Sequence, residues 1–164
     1  ISVRLVGSEM CIRDSFSVIA HMALGLLLVS ISFNSLLSTE RAINIKINEY
    51  EEYKGLNIYF DDIRVLKNSN NDSIKATFFI EDARGKKFNL SPEKRRYFTR
   101  GQITTETAIH IMPLKDIYMT IGDQLDDGSW IVNIQINYLI RFIWFSAALM
   151  AFAGIMLIFS KRRA

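Results

Sequence analysis

One histidine lies in a segment where few polar side chains are expected. His21 occurs near the start of a run, Phe16 to Ser38, that contains no Asp, Glu, Lys or Arg. On a helix, Ser17, His21 and Gly25 follow one another turn by turn and form a stripe of small and polar residues. A histidine is costly to bury in an apolar helix, so by default it marks a functional interior. From these residues alone two interpretations are equally good: the imidazole is a haem ligand, or it forms a hydrogen bond to a neighbouring helix.

Other candidate sites have less support. Glu106 and His110 would share a strand face, but as a metal pair they lack a third ligand at a suitable spacing. The basic run Lys94 to Arg96 suits an acidic partner or haem propionates, although a solvated strand edge is the more ordinary interpretation. The acidic loop Asp123 to Asp127 lacks the full spacing of a calcium loop. Cys11 is the single cysteine, so no internal disulfide and no Cys-based zinc site can form. None of these candidates makes a complete active site, and we predict no catalytic residue in this chain.

Two apolar runs predict the helices that position His21. The runs Phe16–Ser38 and Phe142–Ser160 are uncharged, and about 20 helical residues cross the hydrocarbon core of a membrane. A pair of buried core helices in a soluble protein is the alternative, and it is disfavoured because such helices usually keep a polar face. In the second run, Ala147, Ala151 and Gly154 predict a face for helix packing.

The charge distribution indicates an orientation. The chain of 164 residues has a net charge of +3, but the middle segment is near neutral and the excess comes chiefly from Lys161 to Arg163. A nucleic-acid partner is excluded because the folded part has no basic stripe. Basic residues beside a membrane span mark the cytoplasmic side, so we expect the C-terminus in the cytoplasm and the middle segment in the periplasm or an equivalent compartment.

The middle segment shows the alternation that is typical of half-buried strands. Candidate strands occur at spacings of about 8 to 12 residues, with turn-forming sequences between them. A phase slip at Asp61–Asp62 predicts a β-bulge. The strand signals predict a small all-β sandwich or barrel, and the clearest are Ile43–Tyr50, Leu56–Phe60, Ile74–Ile80 and Trp130–Asn137.

The predicted fold is a membrane protein in which two transmembrane α-helices flank an all-β periplasmic domain. We assign residues 16–38 and 138–160 to the transmembrane helices, 39–137 to the periplasmic β-domain and 161–164 to a cytoplasmic basic tail. Residues 1–15, ISVRLVGSEMCIRDS, lack the order of a signal peptide and resemble a translated sequencing-adaptor string. They are expected to be a non-native leader, and a short native cytoplasmic tail is the alternative.

Several segments together resemble one protein family. AHMALGLLLVSISFNS resembles a histidine-containing membrane helix near the C-terminus of the cytochrome c-type biogenesis protein CcmF family. LSPEKRRYF, TTETAIHI and KDIYMTIGD resemble elements of that family's β-domain, and IRFIWFSAALMAFAGIMLIFSKRR resembles its closing helix. The resemblance covers Phe16 to Ala164, and the order of the elements makes it specific. It identifies the chain as a C-terminal fragment of a CcmF-type protein.

The resemblance implies a role in cytochrome c maturation. This family is the membrane component of the haem lyase, which receives haem from a haem chaperone and helps attach it to apocytochrome c. It also implies a b-type haem (heme b) that relays electrons, with His21 matching one axial ligand of the haem iron. The second axial histidine would lie outside this sequence, so the fragment alone would not be catalytic. Expected partners are apocytochrome c, the haem chaperone and other maturation subunits in the bacterial inner membrane.

The sequence departs from the family pattern at three places. Ala23 stands where many members carry glycine, and a proline common before the Arg141 segment is absent. His110 stands where an acidic or polar residue is expected, so no role is carried over to it. The alternative function is a membrane-anchored β-domain that scaffolds protein partners without a cofactor. The two hypotheses differ in the role of His21.

Overall fold

The computed structural model describes the backbone of residues 3–99 and 101–162 and the side chains of residues 15–99 and 101–159. Two helices enclose a series of strands along the chain. The elements, in order, are α1 Val3–Leu37, β1 Thr39–Ile45, β2 Tyr50–Tyr53, β3 Leu56–Lys67, β4 Asn71–Asp82, β5 Lys87–Leu90, β6 Glu93–Tyr97, β7 Ile103–Glu106, β8 Ala108–Ile111, β9 Lys115–Gln124, β10 Trp130–Tyr138 and α2 Ile140–Arg162.

The predicted fold class is confirmed, since two apolar helices flank an all-β domain. The segments Ser15–Leu37 and Ile140–Phe159 are long and apolar enough to cross a membrane. The helices form one compact unit, and Thr39–Asn137 forms the other. Helix α1 begins at Val3, within the predicted leader. The non-native origin of that leader and the predicted domain boundaries stay predictions.

Helices α1 and α2 pack along each other through small side chains. The buried residues of this contact, which we call the seam, are Ala23, Ser30, Ser146 and Ala153. Small residues allow two helix backbones to approach closely in a membrane. The hydroxyls of Ser30 and Ser146 donate to the carbonyls of Leu26 and Phe142 at 2.7 and 2.6 Å, so both hydroxyls are satisfied within their own helices.

The face predicted for helix packing on α2 was wrong. Ala147 and Ala151 are exposed, whereas Ser146 and Ala153 occupy the seam. Successive helical residues are separated by about 100°, so the true face is roughly one residue around the helix from the predicted one. Both faces carry small residues, and α2 is apolar all round, so the sequence pattern did not distinguish them.

The strands form two sheets, as a sandwich requires. Sheet A has the strand order β1-β10-β9-β8, and sheet B has the order β2-β3-β4-β6-β7, with β5 also pairing with β4. Alternate residues of the strands point inward, and their side chains form the core. The largest fully buried side chains are Phe60, Phe78, Ile45, Leu56, Ile58, Ile80, Ile117, Met119, Ile121, Ile134, Ile136 and Val132.

The long β3–β4 hairpin contains the predicted bulge. The pairing register between the two strands shifts between Phe60 and Asp62, so the prediction of a bulge at Asp61–Asp62 is confirmed. The predicted strand Ile43–Tyr50 was too long, because β1 ends at Ile45. A turn follows in which Asn48 has a φ of 68°, a left-handed conformation that asparagine tolerates better than most residues.

Glu106 and His110 do not share a strand face, contrary to the prediction. Glu106 ends β7 in sheet B, whereas His110 lies on β8 in sheet A. Thr107 lies between the two strands, where the chain passes from one sheet to the other. No glycine or proline marks this corner, so the sequence resembled a single strand.

Strand β6 is not at a sheet edge, so the interpretation of Lys94 to Arg96 as edge charges was also wrong. Its residues pair with β4 on one side and with β7 on the other. Two of its basic side chains, those of Lys94 and Arg95, are paired with acidic neighbours, whereas Arg96 stays largely exposed. Lys94 contacts Asp123 at 2.5 Å, and Arg95 contacts Glu93 at 2.8 Å.

Candidate functional site

His21 lies on the side of α1 that faces away from the seam. Ala23, two residues later, is buried in the seam, and two residues correspond to about 200° around a helix. His21 is exposed, as are Met22 and Gly25. The imidazole is therefore available to a ligand or to another helix, and α2 does not cover it.

One nitrogen of the His21 ring is already engaged. Nδ1 lies 2.7 Å from the carbonyl oxygen of Ser17, one turn earlier on α1. A carbonyl only accepts, so Nδ1 must carry the proton and donate, and the ring is then the tautomer with a lone pair on Nε2. Metal-ligating histidines commonly show this arrangement, in which a backbone carbonyl holds one N–H and the other nitrogen faces the metal.

The space beside His21 suits a flat ligand. Gly25 lies one turn further along the same face, and a Cβ built there would meet no described atom within 4 Å. Ser32, on roughly the same side, donates its hydroxyl to the carbonyl of Leu28 at 2.8 Å and offers no free proton. The face is therefore open and largely apolar around a single imidazole. A haem would fit here, with its iron held by His21 and its ring beside Gly25.

His21 lies close to one end of the apolar segment. It is six residues beyond Ser15 and sixteen before Leu37, which correspond to about 9 Å and about 24 Å along the helix axis. A group bound by His21 would therefore sit nearer the Ser15 end of α1 than the end that leads into the β-domain.

Hydrogen bonds link Ser38, the residue after α1, to Asn34 within α1 and to Tyr138, the last residue of β10. The hydroxyl of Ser38 donates to Oδ1 of Asn34 at 2.8 Å and accepts from the backbone N–H of Tyr138 at 3.3 Å. Leu139, between β10 and α2, has a φ of 54°, which permits a sharp change of direction.

The second histidine has a structural environment in the β-domain. The ring of His110 stacks on Phe88, with centroids 3.7 Å apart and planes 7° from parallel. Among the described residues, its buried Nε2 has no hydrogen-bond partner. Burial lowers the pKa of His110, and the nearby positive charge of Lys86 lowers it further. The neutral ring therefore belongs to the packing between β5 and β8.

Several of the remaining charged candidates make contacts within the β-domain. The guanidinium of Arg95 is paired with acidic side chains. It bonds to the carboxylate of Glu93 and contacts that of Glu106 at 3.2 Å. The hydrogen bond from Arg95 lowers the pKa of Glu93. The carboxylate of Asp127 accepts a 2.6 Å hydrogen bond from the hydroxyl of Ser129, and this bond lowers the pKa of Asp127. These groups stabilise turns and strands.

A groove of about 510 Å³ on sheet B was not predicted from the sequence. Tyr50, Tyr59 and Phe79 line it, and the rings of Tyr50 and Tyr59 have centroids 4.6 Å apart. The three residues face one another across β2, β3 and β4. Their positions on the outward face of adjacent strands were readable in the sequence only once the strand pairing was known.

Comparison with known proteins identifies the family. Residues 36–137 match the family model described as the CcmF C-terminal β-sandwich. The chain belongs to the CcmF family. It is 29% identical over 145 residues to the cytochrome c-type biogenesis protein CcmF of Escherichia coli strain K12, and 25% identical over 159 residues to that of Pseudomonas aeruginosa. The family prediction is confirmed.

The similarity extends to a solved structure. The fold matches that of a chain named cytochrome c heme lyase CcmF with a TM-score of 0.74 and 15% identity, covering 91% of this chain and 25% of that one. At this identity the match shows the fold. The alignments cover 88% and 96% of this chain but only 22% and 24% of the Escherichia coli and Pseudomonas aeruginosa proteins. The chain therefore spans about a quarter of the length of its relatives.

Proposed function

We propose that this chain forms the C-terminal part of a cytochrome c haem lyase component and that His21 is an axial ligand of a b-type haem. The observation that carries the proposal is the hydrogen bond from Nδ1 of His21 to the carbonyl of Ser17 in a membrane-length apolar helix. This bond fixes the tautomer with a free lone pair on Nε2 and orients the ring outward. Membership of the CcmF family supports it.

The residues around His21 act by position and by excluding water. Ser17 holds the imidazole, while Gly25 leaves room for a flat ring to approach the backbone. The surrounding leucine, isoleucine and valine side chains provide a low-dielectric environment, which tunes the reduction potential of a bound iron. A bound haem would supply one-electron transfer. The second axial ligand would come from a residue outside this sequence.

The position of His21 along α1 favours electron relay over haem attachment. The basic residues Lys161 to Arg163 favour a cytoplasmic C-terminus. In that orientation the Ser15 end of α1 would lie in the inner leaflet and the β-domain in the periplasm. His21 would then lie about 24 Å of helix away from the periplasmic end of the span. Attachment of haem to apocytochrome c would take place elsewhere in the complete protein, with the haem chaperone and other maturation subunits as partners.

The test is a visible spectrum of the full-length protein purified from membranes. We expect a b-type haem spectrum in the reduced-minus-oxidised difference, and we expect His21→Ala to abolish or shift it. His110→Ala is the matched control, because it removes the other histidine without touching α1. A spectrum that is unchanged in His21→Ala, in a variant that is present in the membrane at the normal level, would refute haem ligation by His21.

The same experiment addresses the scaffold hypothesis. If neither the parent nor the variants carry haem while the protein still associates with maturation subunits, the β-domain acts as a membrane-anchored scaffold. Loss of spectrum in His110→Ala but not in His21→Ala would reverse the assignment of the two histidines.

A further inference from the structure

The β8–β9 hairpin presents apolar side chains to its surroundings. Ile109 and Ile111 on β8 are 50% and 58% exposed, and Leu114 in the turn is 63% exposed. Strand β8 is one of the two edge strands of sheet A. Proteins usually protect such an edge with charged residues or cover it, so an exposed apolar edge indicates a contact surface.

This hairpin lies at the end of sheet A where β10 leaves the β-domain. A short loop joins β9 to β10, and the two strands are neighbours, so they run in opposite directions. A Cβ on Gly122 would lie 3.2 Å from the Cβ of Ile131, so these residues face each other. Continuing this pairing places Asp116 opposite Asn137. Leu114 lies two residues beyond Asp116, at the tip of that end.

The chain also enters sheet A at this end. Thr39, the first residue of β1, pairs with Ile136 near the end of β10. The membrane-length segments end at Leu37 and begin at Ile140, so at most two residues connect each of them to the sheet. Two residues extend over at most about 7 Å. The covalent connections from this end of sheet A to both apolar segments are therefore short.

We propose that the tip of the β8–β9 hairpin rests on the lipid surface of the membrane, with Leu114 and Ile111 in contact with the acyl-chain boundary. The apolar side chains Ile111 and Leu114 are followed by the basic residue Lys115. This composition matches that of segments that bind at the membrane interface. The proposal rests on α1 and α2 spanning the membrane and is independent of haem binding.

Position distinguishes this surface from other exposed apolar residues. Val65 is 62% exposed, almost the same as Leu114. It lines a groove with Gly122 and Trp130, at the opposite end of the β-domain. A lipid contact is therefore expected at residue 114 and not at residue 65, although their exposed fractions are equal.

Site-specific labels can test this in the full-length protein. Cys11 and any other native cysteine are replaced by serine, and single cysteines are introduced by Leu114→Cys, Val65→Cys and Leu28→Cys for a bimane label. The proteins are reconstituted into vesicles of phosphatidylcholine and phosphatidylglycerol, with or without brominated acyl chains. Iodide serves as the aqueous quencher. Residue 28 lies within α1 and reports on the membrane placement of that helix.

We expect brominated lipid to quench the label at position 114. Only iodide should quench the label at position 65, and iodide should not quench the label at position 28. A label at position 114 that iodide quenches and brominated lipid does not would show that the hairpin lies in water. A label at 114 that neither agent quenches would show that polypeptide covers it. Either result overturns the lipid contact. Quenching of position 28 by iodide would refute the membrane placement of α1 itself, and the lipid contact with it.

Discussion

Two neighbouring phenylalanines on β4 offer a direct test of how the β-domain is packed. Phe78 is fully buried and its ring stacks on Phe60 with centroids 4.5 Å apart, whereas Phe79 is 49% exposed on the opposite face. Replacing a buried phenylalanine by alanine costs about 3–5 kcal/mol, and the lost ring contact contributes about 0.5–1.5 kcal/mol of such a total. We therefore expect Phe78→Ala to lower the free energy of unfolding by about 4–5 kcal/mol.

The adjacent substitution is the control. Phe79→Ala removes the same side chain from a half-exposed position, so we expect a loss of no more than about 1 kcal/mol. In a β-domain of about 100 residues, each kcal/mol shifts the midpoint of thermal unfolding by about 4–8 °C. Phe78→Ala should thus lower the midpoint by more than about 15 °C, and Phe79→Ala by less than about 8 °C.

The measurement is thermal unfolding of the detergent-solubilised protein, followed by the circular dichroism of the strands. Because side chains alternate between the two faces of a strand, a one-residue slip of β4 would exchange the environments of Phe78 and Phe79. Equal midpoint shifts, or a larger shift for Phe79→Ala, would refute the pairing of Phe60 with Phe78 and the inward assignment of that face.

Three further predictions concern pH and the helix pair. Burial lowers the pKa of His110, so the stability that its neutral ring provides is present above its ordinary value of 6.5 and is lost as the pH falls through the lowered folded value. His110→Gln should flatten this slope in urea unfolding between about pH 7 and 5, and equal slopes would contradict the assignment. Asp82 accepts the backbone N–H groups of Arg84 and Lys86, chiefly Lys86, which lowers its pKa. The stabilising contribution of Asp82 is present above its ordinary pKa of 3.8 and is lost as the pH falls through the lowered folded pKa. Asp82→Ala should therefore make the free energy of unfolding less sensitive to acid in the same assay. An unchanged acid sensitivity would contradict this role of Asp82. Because Ala153 is buried in the seam and Ala147 is exposed, Ala153→Leu should increase the distance between spin labels on α1 and α2, whereas Ala147→Leu should leave it unchanged. The same distance in the two variants would contradict the assignment of the seam.

The strands were the most predictable part of the fold, because one face of each strand is buried. Ile134 and Ile136 alternate with polar neighbours, and β10 appears where that pattern predicts it. The alternation carries no information on partners, however. No glycine or proline marks Thr107, where the chain changes sheets, so Glu106 and His110 were assigned to one strand that does not exist. Sheet assignment depends on contacts that are distant in sequence.

The existence of two membrane-length helices was predictable, whereas the start of α1 and the packing faces of both helices were not. A long uncharged run predicts a membrane-length helix regardless of the side that packs. Which side packs depends on matching small residues on both helices, and Ala23 and Ala153 were not distinguishable from the other alanines in the sequence. His21 could be singled out because one imidazole in such a run is chemically unusual. The hydrogen bond from His21 to the carbonyl of Ser17 is visible only in the structure.

The hydrogen bond between Ser38 and Tyr138 has a consequence for dividing this protein into smaller parts. The β-domain begins and ends on adjacent strands, with Thr39 opposite Ile136, so it is an insertion whose two ends meet at one point. A helical hairpin can accept, enlarge or lose such an insertion without changing the contact between its own helices. Replacement of residues 39–137 by a short turn should therefore leave α1, α2 and the environment of His21 intact, and would yield a minimal two-helix fragment for studying the histidine by itself.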